Sequence, residues 1–214
     1  MSTDERELRA AVATAARHLS STGLVTGTSG NVSVRLDDRV LITPSGVDYA
    51  ELGPEGISMV TLDGTILDAG ASAPSSETPL HLGIYASGAD AAVVHTHSEW
   101  ATAVGLVRDT LPSVHYAIRA LGGPLRVAPY ATFGSRRLAD HVRQAIDGRR
   151  GALMRNHGAV ATGASLAQAV RNAEILEWLC RLYLRASLIG EPAVLTDQEL
   201  DDVRRSAETT GYRL

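Results

Sequence analysis

The sequence predicts an α/β fold. Short runs of alternating apolar and polar residues, separated by turn-forming residues, are typical of β-hairpins, whereas longer runs repeat apolar residues at the intervals of amphipathic helices. From residue 78 onward the two kinds of run alternate along the chain. A length of 214 residues is usual for one compact unit, so we expect a single domain spanning residues 1–214.

The first part of the chain predicts one helix and two hairpins. The helix begins at Ser2, whose spacing to Glu5 is that of a capping box, and helical spacing of apolar residues continues until Gly23. The hairpins pair residues 31–35 with 40–43 and residues 58–62 with 65–67. Their turns are Asp37-Asp38 and Asp63-Gly64, which tolerate the backbone conformations that tight turns need.

Strands and helices alternate in the remainder. Strand-like runs occupy residues 91–95, 112–118 and 125–128, and a third hairpin pairs residues 152–155 with 160–162. Helical spacing covers residues 78–86, 98–107, 135–146 and 165–189, and a last helix begins at Thr196 with acidic residues in its first turn. Residues 69–76 contain only Ala, Gly, Ser and Pro, which indicates a surface loop.

Composition excludes several classes of function. The net charge of −4 leaves no basic surface for a nucleic acid or an anionic membrane, and no apolar run is long enough to cross a bilayer. A single cysteine, Cys180, and an acidic start without a secretory leader predict a cytoplasmic protein. All 20 basic residues are arginine. Schiff-base aldolases, pyridoxal-phosphate enzymes and Walker-type nucleotide hydrolases need a lysine, so all three are excluded.

Three of the seven histidines stand where backbone geometry would gather them. His95 and His97 are two residues apart at the end of a predicted strand, so both project from one face. A His-x-His pair alone is explained equally well by a core histidine and a strand-end histidine. His157, in the turn of the third predicted hairpin, favours a metal site instead. Glu77, at a loop-to-helix junction, is the candidate fourth ligand, although a carboxylate also suits a helix N-terminus.

Three neutral imidazoles would leave the full charge of a zinc ion available to a substrate oxygen. His81, one helical turn after Glu77, is a weaker candidate because a buried supporting histidine explains it equally well. We expect no metal role for His18, His115 or His141.

A second group of residues suits an anion. Residues 27–31, 43–46 and 75–76 are short segments rich in glycine and hydroxyl side chains, each beside a predicted strand or helix end. Backbone N–H groups in such turns, together with hydroxyls and a helix N-terminus, bind phosphate without any lysine.

Six motifs, in this order, resemble the class II aldolase/adducin family over nearly the whole chain. They are Gly-Thr-Ser-Gly-Asn-Val-Ser-Val-Arg (27–35), Leu-Ile-Thr-Pro-Ser-Gly (41–46), Pro-Ser-Ser-Glu (74–77), Val-His-Thr-His (94–97), Ala-Pro-Tyr-Ala-Thr-Phe-Gly (128–134) and Asn-His-Gly (156–158). The resemblance implies a three-layer α/β/α sandwich around a central mixed or antiparallel sheet. It also implies a homotetramer with fourfold symmetry and active sites at the subunit interfaces.

The resemblance assigns roles to individual residues as well. It implies that Glu77 is a metal ligand at rest and swings off to act as the catalytic acid/base. The other implied zinc ligands are His95, His97 and His157, and the implied phosphate site is Gly30, Asn31, Ser45, Gly46, Ser75 and Ser76. Tyr116 matches a catalytic tyrosine that reaches the active site of a neighbouring subunit. Phe133 and Tyr212 match residues lining the aldehyde end of the substrate site.

The implied function is a zinc-dependent aldolase that cleaves a ketose 1-phosphate of the L-fuculose 1-phosphate type to dihydroxyacetone phosphate and an aldehyde. The missing lysine agrees, because a metal is then the electron sink in place of an iminium. Ser29, Ser45 and Asn156 stand where the aldolase branch has Ala, Thr and His.

Alternative functions follow from the same resemblance. Glu77 is followed by Thr-Pro, as in the ribulose-5-phosphate 4-epimerase branch, although that branch has Asp in place of Glu77. An epimerase, a dehydratase or a decarboxylase would use the same two sites. A non-catalytic adducin-like module would not need the three histidines and Glu77 together. A zinc hydrolase is disfavoured because no His-Glu-x-x-His motif is present.

Overall fold

The computed structural model describes residues 3–86, 88 and 90–211, which form a nine-stranded sheet with helices on both sides. The strands are β1 (Asn31–Leu36), β2 (Arg39–Ile42), β3 (Ser58–Thr61), β4 (Ile66–Asp68), β5 (Ala92–Thr96), β6 (Thr110–Leu111), β7 (Leu125–Ala128), β8 (Gly151–Met154) and β9 (Gly158–Gly163). Their order across the sheet is β4-β3-β2-β1-β5-β9-β8-β7-β6. Neighbouring strands are antiparallel except β7 and β8, which are parallel, so the sheet is mixed.

Helices cover both faces of the sheet and confirm the three-layer arrangement. They are α1 (Thr3–Ser21), α2 (Thr78–Tyr85), α3 (Glu99–Val107), α4 (Arg136–Ile146), α5 (Leu166–Ser187) and α6 (Asp197–Thr210). An apolar cluster under α1 and α5 fills one side of the sheet, and a second cluster under α2 and α4 fills the other. In the part of the chain that the structure describes, no helix combines the length and the apolar character needed to cross a membrane.

Local sequence signals predicted most of these elements correctly. All three predicted hairpins are present, and Asp37 adopts the positive φ of 55° that its turn requires. Thr196 caps α6 through a capping box with Glu199. Ser2, the proposed first residue of the other capping box, lies outside the described residues.

The strand predicted over residues 112–118 is wrong. Strand β6 contains only Thr110–Leu111, and residues Tyr116–Leu121 form a 3₁₀ helix. Pro112 cannot donate to a strand ladder, and its carbonyl oxygen accepts from the backbone N–H of Val114 at 2.8 Å, which turns the chain away from the sheet. The backbone N–H of Ala117 then donates to Nδ1 of His115, which caps the 3₁₀ helix.

The sheet brings the ends of several strands to one edge. Because β5 is antiparallel to both β1 and β9, its C-terminal end lies beside the first residues of those two strands. The C-terminal ends of β2, β7 and β8 lie at the same edge. The loops that leave this edge carry most of the motifs identified in the sequence.

Candidate active site

Strand pairing and strand alternation place four predicted ligands together. His95 pairs with Asn31 of β1, and Thr96 pairs with Ala159 of β9, so the chain just before β9 lies beside the end of β5. Val93 packs into the cluster under α2 and α4, and alternation puts His95 on that same face. Glu77 is the residue immediately before α2 and lies over this face. The ligand atoms of Glu77, His95, His97 and His157 all lie within 4.8 Å of one another.

Two glycines allow the backbone segments to come this close. A β-carbon at Gly158 would lie 2.0 Å from the carbonyl oxygen of Thr96, so only glycine lets the turn carrying His157 approach His97. A β-carbon at Gly30 would lie 2.7 Å from the carbonyl oxygen of His95, and Gly30 also has a φ of +71°. Both positions therefore require glycine for the site to close.

The three imidazoles direct the same nitrogen towards a common point. Nε2 of His97 lies 3.0 Å from Nε2 of His95 and 3.1 Å from Nε2 of His157. Oε2 of Glu77 lies 2.9 Å from Nε2 of His95, and Oε1 lies 3.3 Å from Nε2 of His157. The latter contact lacks hydrogen-bond geometry, so Oε1 is a buried carboxylate oxygen without a hydrogen-bond partner.

This arrangement fits a cation. Nδ1 of His95 lies 2.9 Å from the carbonyl oxygen of Ala159, which only accepts, so Nδ1 carries a hydrogen. In neutral His95 the lone pair of Nε2 therefore points into the cluster, towards the carboxylate and the other two imidazoles. Converging lone pairs and an unpartnered carboxylate oxygen are what a divalent metal ion satisfies, and the His and Glu donors are those that zinc accepts.

Burial and the charges of neighbouring side chains also favour the protonation states in which these side chains can bind a metal ion. Burial, with a further contribution from His95, lowers the pKa of both His97 and His157 to about 4, so both are neutral at physiological pH. Burial alone would raise the pKa of Glu77, but His95 and His157 outweigh it and hold that pKa well below its usual range. His97 and His157 are thus neutral imidazoles beside an ionised carboxylate.

A pocket of about 400 Å³ opens beside this cluster. Its lining includes five of the six residues predicted for the phosphate site, namely Gly30, Ser45, Gly46, Ser75 and Ser76, together with Glu77, His97 and His157. No arginine lines it among the described residues. An anion there would rely on hydroxyls and turn N–H groups, because the first backbone N–H groups of α2 are bonded within the chain.

Asn31, the sixth predicted phosphate residue, lies behind the pocket. Its side chain is buried; Nδ2 donates to Oε2 of Glu77 at 3.0 Å, and Oδ1 faces His81. Both polar atoms of the amide are thus used within the protein, and a phosphate contact of Asn31 stays a prediction. His81 is not part of the four-residue cluster, because both of its ring nitrogens bond to other side chains.

The three aromatic residues predicted for the substrate have different positions. Phe133 lines the pocket and is largely exposed. Tyr116 lies on the 3₁₀ helix, is 38 % exposed, and is not among the residues that line the pocket. Tyr212 lies outside the described residues. The roles of all three stay predictions.

Further residues line the pocket, for which the sequence predicted no individual role. Tyr130 and Ala131 line the pocket beside Phe133, and Thr28 lines it beside Ser29 and Gly30. Each of these residues lies in one of the six motifs recognised in the sequence. Every residue of such a motif, and not only its chemically reactive members, was therefore a candidate for lining the pocket.

The chain is similar to known proteins over most of its length. Residues 10–184 match the family model described as the Class II Aldolase and Adducin N-terminal domain. The L-fuculose phosphate aldolase of Escherichia coli (strain K12) is 42% identical over 195 residues, which cover 90% of each chain. A 5-methylthioribulose-1-phosphate/5-deoxyribulose-1-phosphate aldolase of Rhodospirillum rubrum is 38% identical over 206 residues, covering 95% of this chain and 92% of the relative.

A solved structure gives the same result for the fold. An L-fuculose 1-phosphate aldolase superimposes with a TM-score of 0.90 and 34% sequence identity, covering 99% of this chain and 98% of the other.

Proposed function

The chain belongs to the class II aldolase and adducin family and is a class II aldolase, and from this premise we propose that it cleaves a ketose 1-phosphate to dihydroxyacetone phosphate and an aldehyde. The observation that carries the proposal is the position of Glu77 between the three histidines and the pocket lined by neutral phosphate-binding groups. The names of the relatives contain three substrates, L-fuculose phosphate, 5-methylthioribulose 1-phosphate and 5-deoxyribulose 1-phosphate, so we propose this class of sugar phosphate.

Class II aldolases use a divalent metal, and we propose zinc, held by His95, His97, His157 and, in the resting state, Glu77. When bound, the ion supplies positive charge that stabilises the negative charge developing on the substrate's oxygens as the carbon–carbon bond breaks. The ring of His95 is oriented for this role by its hydrogen bond to the carbonyl oxygen of Ala159.

Glu77 is the proposed acid/base. In the cleavage direction the C4 hydroxyl loses its proton, the C3–C4 bond breaks, and the aldehyde departs. Glu77, protonated in the substrate complex, then delivers its proton to C3, which completes dihydroxyacetone phosphate, and the proton released from the C4 hydroxyl restores the starting state. The Oε1 atom of Glu77 suits this transfer because it accepts no hydrogen bond within the protein and belongs to a residue that lines the pocket.

The phosphate is proposed to bind to neutral donors. Ser45 and Ser76 line the pocket, as do Gly30 and Gly46, whose turn backbone carries N–H groups. Ser75 is buried and its hydroxyl accepts from the backbone N–H of Glu77, so its contribution couples the phosphate loop to the catalytic residue.

We propose a homotetramer in which Tyr116 of one subunit completes the site of its neighbour and accepts the C4 hydroxyl proton. Tyr116 does not line the pocket of its own chain. A site shared between two subunits would place it beside a substrate. Phe133 and Tyr212 are proposed to contact the aldehyde part of the substrate.

The test is product analysis. Purified, zinc-loaded protein is incubated with L-fuculose 1-phosphate, 5-deoxyribulose 1-phosphate and ribulose 5-phosphate, and the products are identified by NMR. We expect dihydroxyacetone phosphate and an aldehyde from one of the ketose 1-phosphates. A C4 epimer formed without dihydroxyacetone phosphate would assign the chain to the epimerase branch, and a dehydrated or decarboxylated product would assign it to one of the other branches.

A further inference from the structure

A line of buried polar side chains leads away from Glu77 into the protein. Asn31 Nδ2 donates to Glu77 Oε2 at 3.0 Å, and Asn31 Oδ1 lies 2.5 Å from Nε2 of His81. On the other side of the ring, Nδ1 of His81 lies 2.6 Å from Oγ of Ser33, which lies 2.7 Å from the phenol oxygen of Tyr85. None of these five side chains belongs to a residue more than 5 % exposed.

The hydrogens in this line have one consistent direction. A carboxylate only accepts, so Asn31 turns its NH₂ group to Glu77 and its oxygen to His81. The amide oxygen also only accepts, so Nε2 of His81 carries the hydrogen. Burial lowers the pKa of His81 to about 3, so the ring is neutral and its bare Nδ1 accepts from Ser33. Ser33 in turn accepts from Tyr85, whose phenol also takes part in a backbone hydrogen bond with Val93.

The consequence is a fixed orientation of the Asn31 amide. If the amide flipped, its oxygen would face the Glu77 carboxylate and its NH₂ group would face the Nε2–H of His81, so two buried hydrogen bonds would be lost. His81 therefore prevents the flip, and Ser33 and Tyr85 prevent His81 from changing tautomer.

His81 is a fully buried polar residue on a largely apolar helix. Helix α2 packs Leu80, Ile84 and Tyr85 into an apolar cluster, and a buried imidazole in that setting costs free energy unless both nitrogens are bonded. Packing alone therefore does not explain the row of hydrogen-bonded side chains from Tyr85 to Glu77. Its end point is one oxygen of Glu77, whereas the other oxygen has no hydrogen bond.

We propose that Asn31 and His81 are positioning residues that anchor Oε2 of Glu77 and so reserve Oε1 as the oxygen that carries the proton during catalysis. This proposal rests on the aldolase function proposed above. Because neither residue lines the pocket, this positioning role is exerted through Glu77.

The first experiment compares variants of the zinc-loaded protein. His81→Phe keeps a ring but removes both hydrogen bonds, and we expect kcat for cleavage to fall about 10- to 100-fold with KM within about twofold of the parent and with zinc content unchanged. His81→Gln, whose amide NH₂ group can replace Nε2–H, should recover most of kcat. The control is Asn172→Ala, which removes a buried hydrogen bond to the carbonyl oxygen of Thr162 remote from Glu77. It should lower Tm without lowering kcat.

A kcat of His81→Phe within twofold of the parent would overturn the proposal, as would an equal loss of kcat in Asn172→Ala. If His81→Phe does not fold, Ser33→Ala takes its place, because it removes the donor to Nδ1 of His81. We expect it to lower kcat with zinc content unchanged, and a kcat within twofold of the parent would overturn the proposal.

The second experiment does not depend on activity. Nitrogen-15 NMR of the imidazole rings in the metal-free parent should show His81 as the neutral tautomer with hydrogen on Nε2 between pH 5 and 9. Hydrogen on Nδ1, or a protonated ring, would overturn the positioning proposal alone. A parent with the expected tautomer but without cleavage of any ketose phosphate would instead contradict the proposed function.

Discussion

Gly158 and Thr96 lie so close together that a β-carbon at position 158 would stand 2.0 Å from the Thr96 carbonyl oxygen. Thr96 separates His95 from His97, and Gly158 directly follows His157. The contact therefore sets the distance between the two backbone segments that carry the three histidines. It is a backbone contact, which side-chain rotation cannot relieve.

We expect Gly158→Ala to destabilise the protein and weaken the metal site together. The added methyl group must push β9 away from β5, which costs about 1–3 kcal/mol or more, as in overpacked cores, and moves His157 from His97. Thermal unfolding and zinc content would be measured on the same samples. Gly190→Ala is the matched control, because a β-carbon there would meet nothing within 4 Å. Normal zinc content in a folded Gly158→Ala protein would contradict this account.

The second prediction concerns the metal itself. Purified parent should contain close to one divalent ion per chain by elemental analysis, and a chelator should lower its Tm because the ion binds only the folded state. His95→Ala and His157→Ala should lose most of the metal. His18→Ala is the control, since His18 is half exposed and contacts Glu174 elsewhere in the fold. Parent-like metal binding by His157→Ala would show that the cluster is not the binding site.

Features of the fold and the site could be predicted from the sequence where the residues that determine them lie close together in the chain. The β1–β2 hairpin follows from its Asp37-Asp38 turn, and the shared direction of His95 and His97 follows from their spacing at a strand end. The strand predicted over residues 112–118 was wrong because apolar residues of a short 3₁₀ helix were assigned to an extended run.

Contacts between residues far apart in the chain could not be predicted from the sequence. Asn31 was assigned to phosphate because it stands in a glycine-rich motif, yet its partners Glu77 and His81 lie 46 and 50 residues away. Only the packing of α2 over the sheet brings these side chains together. The sequence did show a histidine four residues after Glu77 on an otherwise apolar helix. That pattern indicates that His81 is buried, but it does not indicate which side chains bond to it.

The third prediction tests the phosphate site. Ser76→Ala should raise KM for the phosphorylated ketose about tenfold or more, the scale of one hydrogen bond to a charged group, with a smaller change for the unphosphorylated sugar. Steady-state kinetics on both substrates would measure the difference. Ser72→Ala is the control, because Ser72 lies in the same loop but does not line the pocket. Equal catalytic efficiency of the parent for phosphorylated and unphosphorylated ketose would reject the assignment.

The fourth prediction is a pH dependence of stability. Burial, with the charge of His95, lowers the pKa of His81 from 6.5 to about 3. The unfolded chain therefore binds more protons than the folded one between these values, so this contribution to stability is complete above pH 6.5 and is lost as pH falls. In chelator, we expect the parent to lose about 2 kcal/mol more than His81→Gln between pH 6.5 and pH 5, from 1.36 kcal/mol per unit.

Urea unfolding at the two pH values would measure this loss. The shifts of His97 and His157 are common to parent and variant and cancel in the difference. Parallel pH profiles for the parent and His81→Gln would mean that His81 binds a proton as readily in the folded state as in the unfolded state.

The last prediction concerns Tyr116 and assembly. Tyr116 stacks on His115 with ring centroids 4.3 Å apart, on a 3₁₀ helix that contributes nothing to its own chain's pocket. If Tyr116 serves a neighbouring subunit, Tyr116→Phe should leave assembly and zinc content intact and slow cleavage. Glu77→Gln should also fold, retain zinc and lose about two or more orders of magnitude in turnover, the scale of a lost general acid/base.

Subunits of the two variants, dissociated, mixed and reassembled, should recover part of the activity, because some interfaces then pair an intact Glu77 with an intact Tyr116. Each variant reassembled alone is the control, and mixed oligomers verified by mass spectrometry that show no recovery would place Tyr116 outside a shared site.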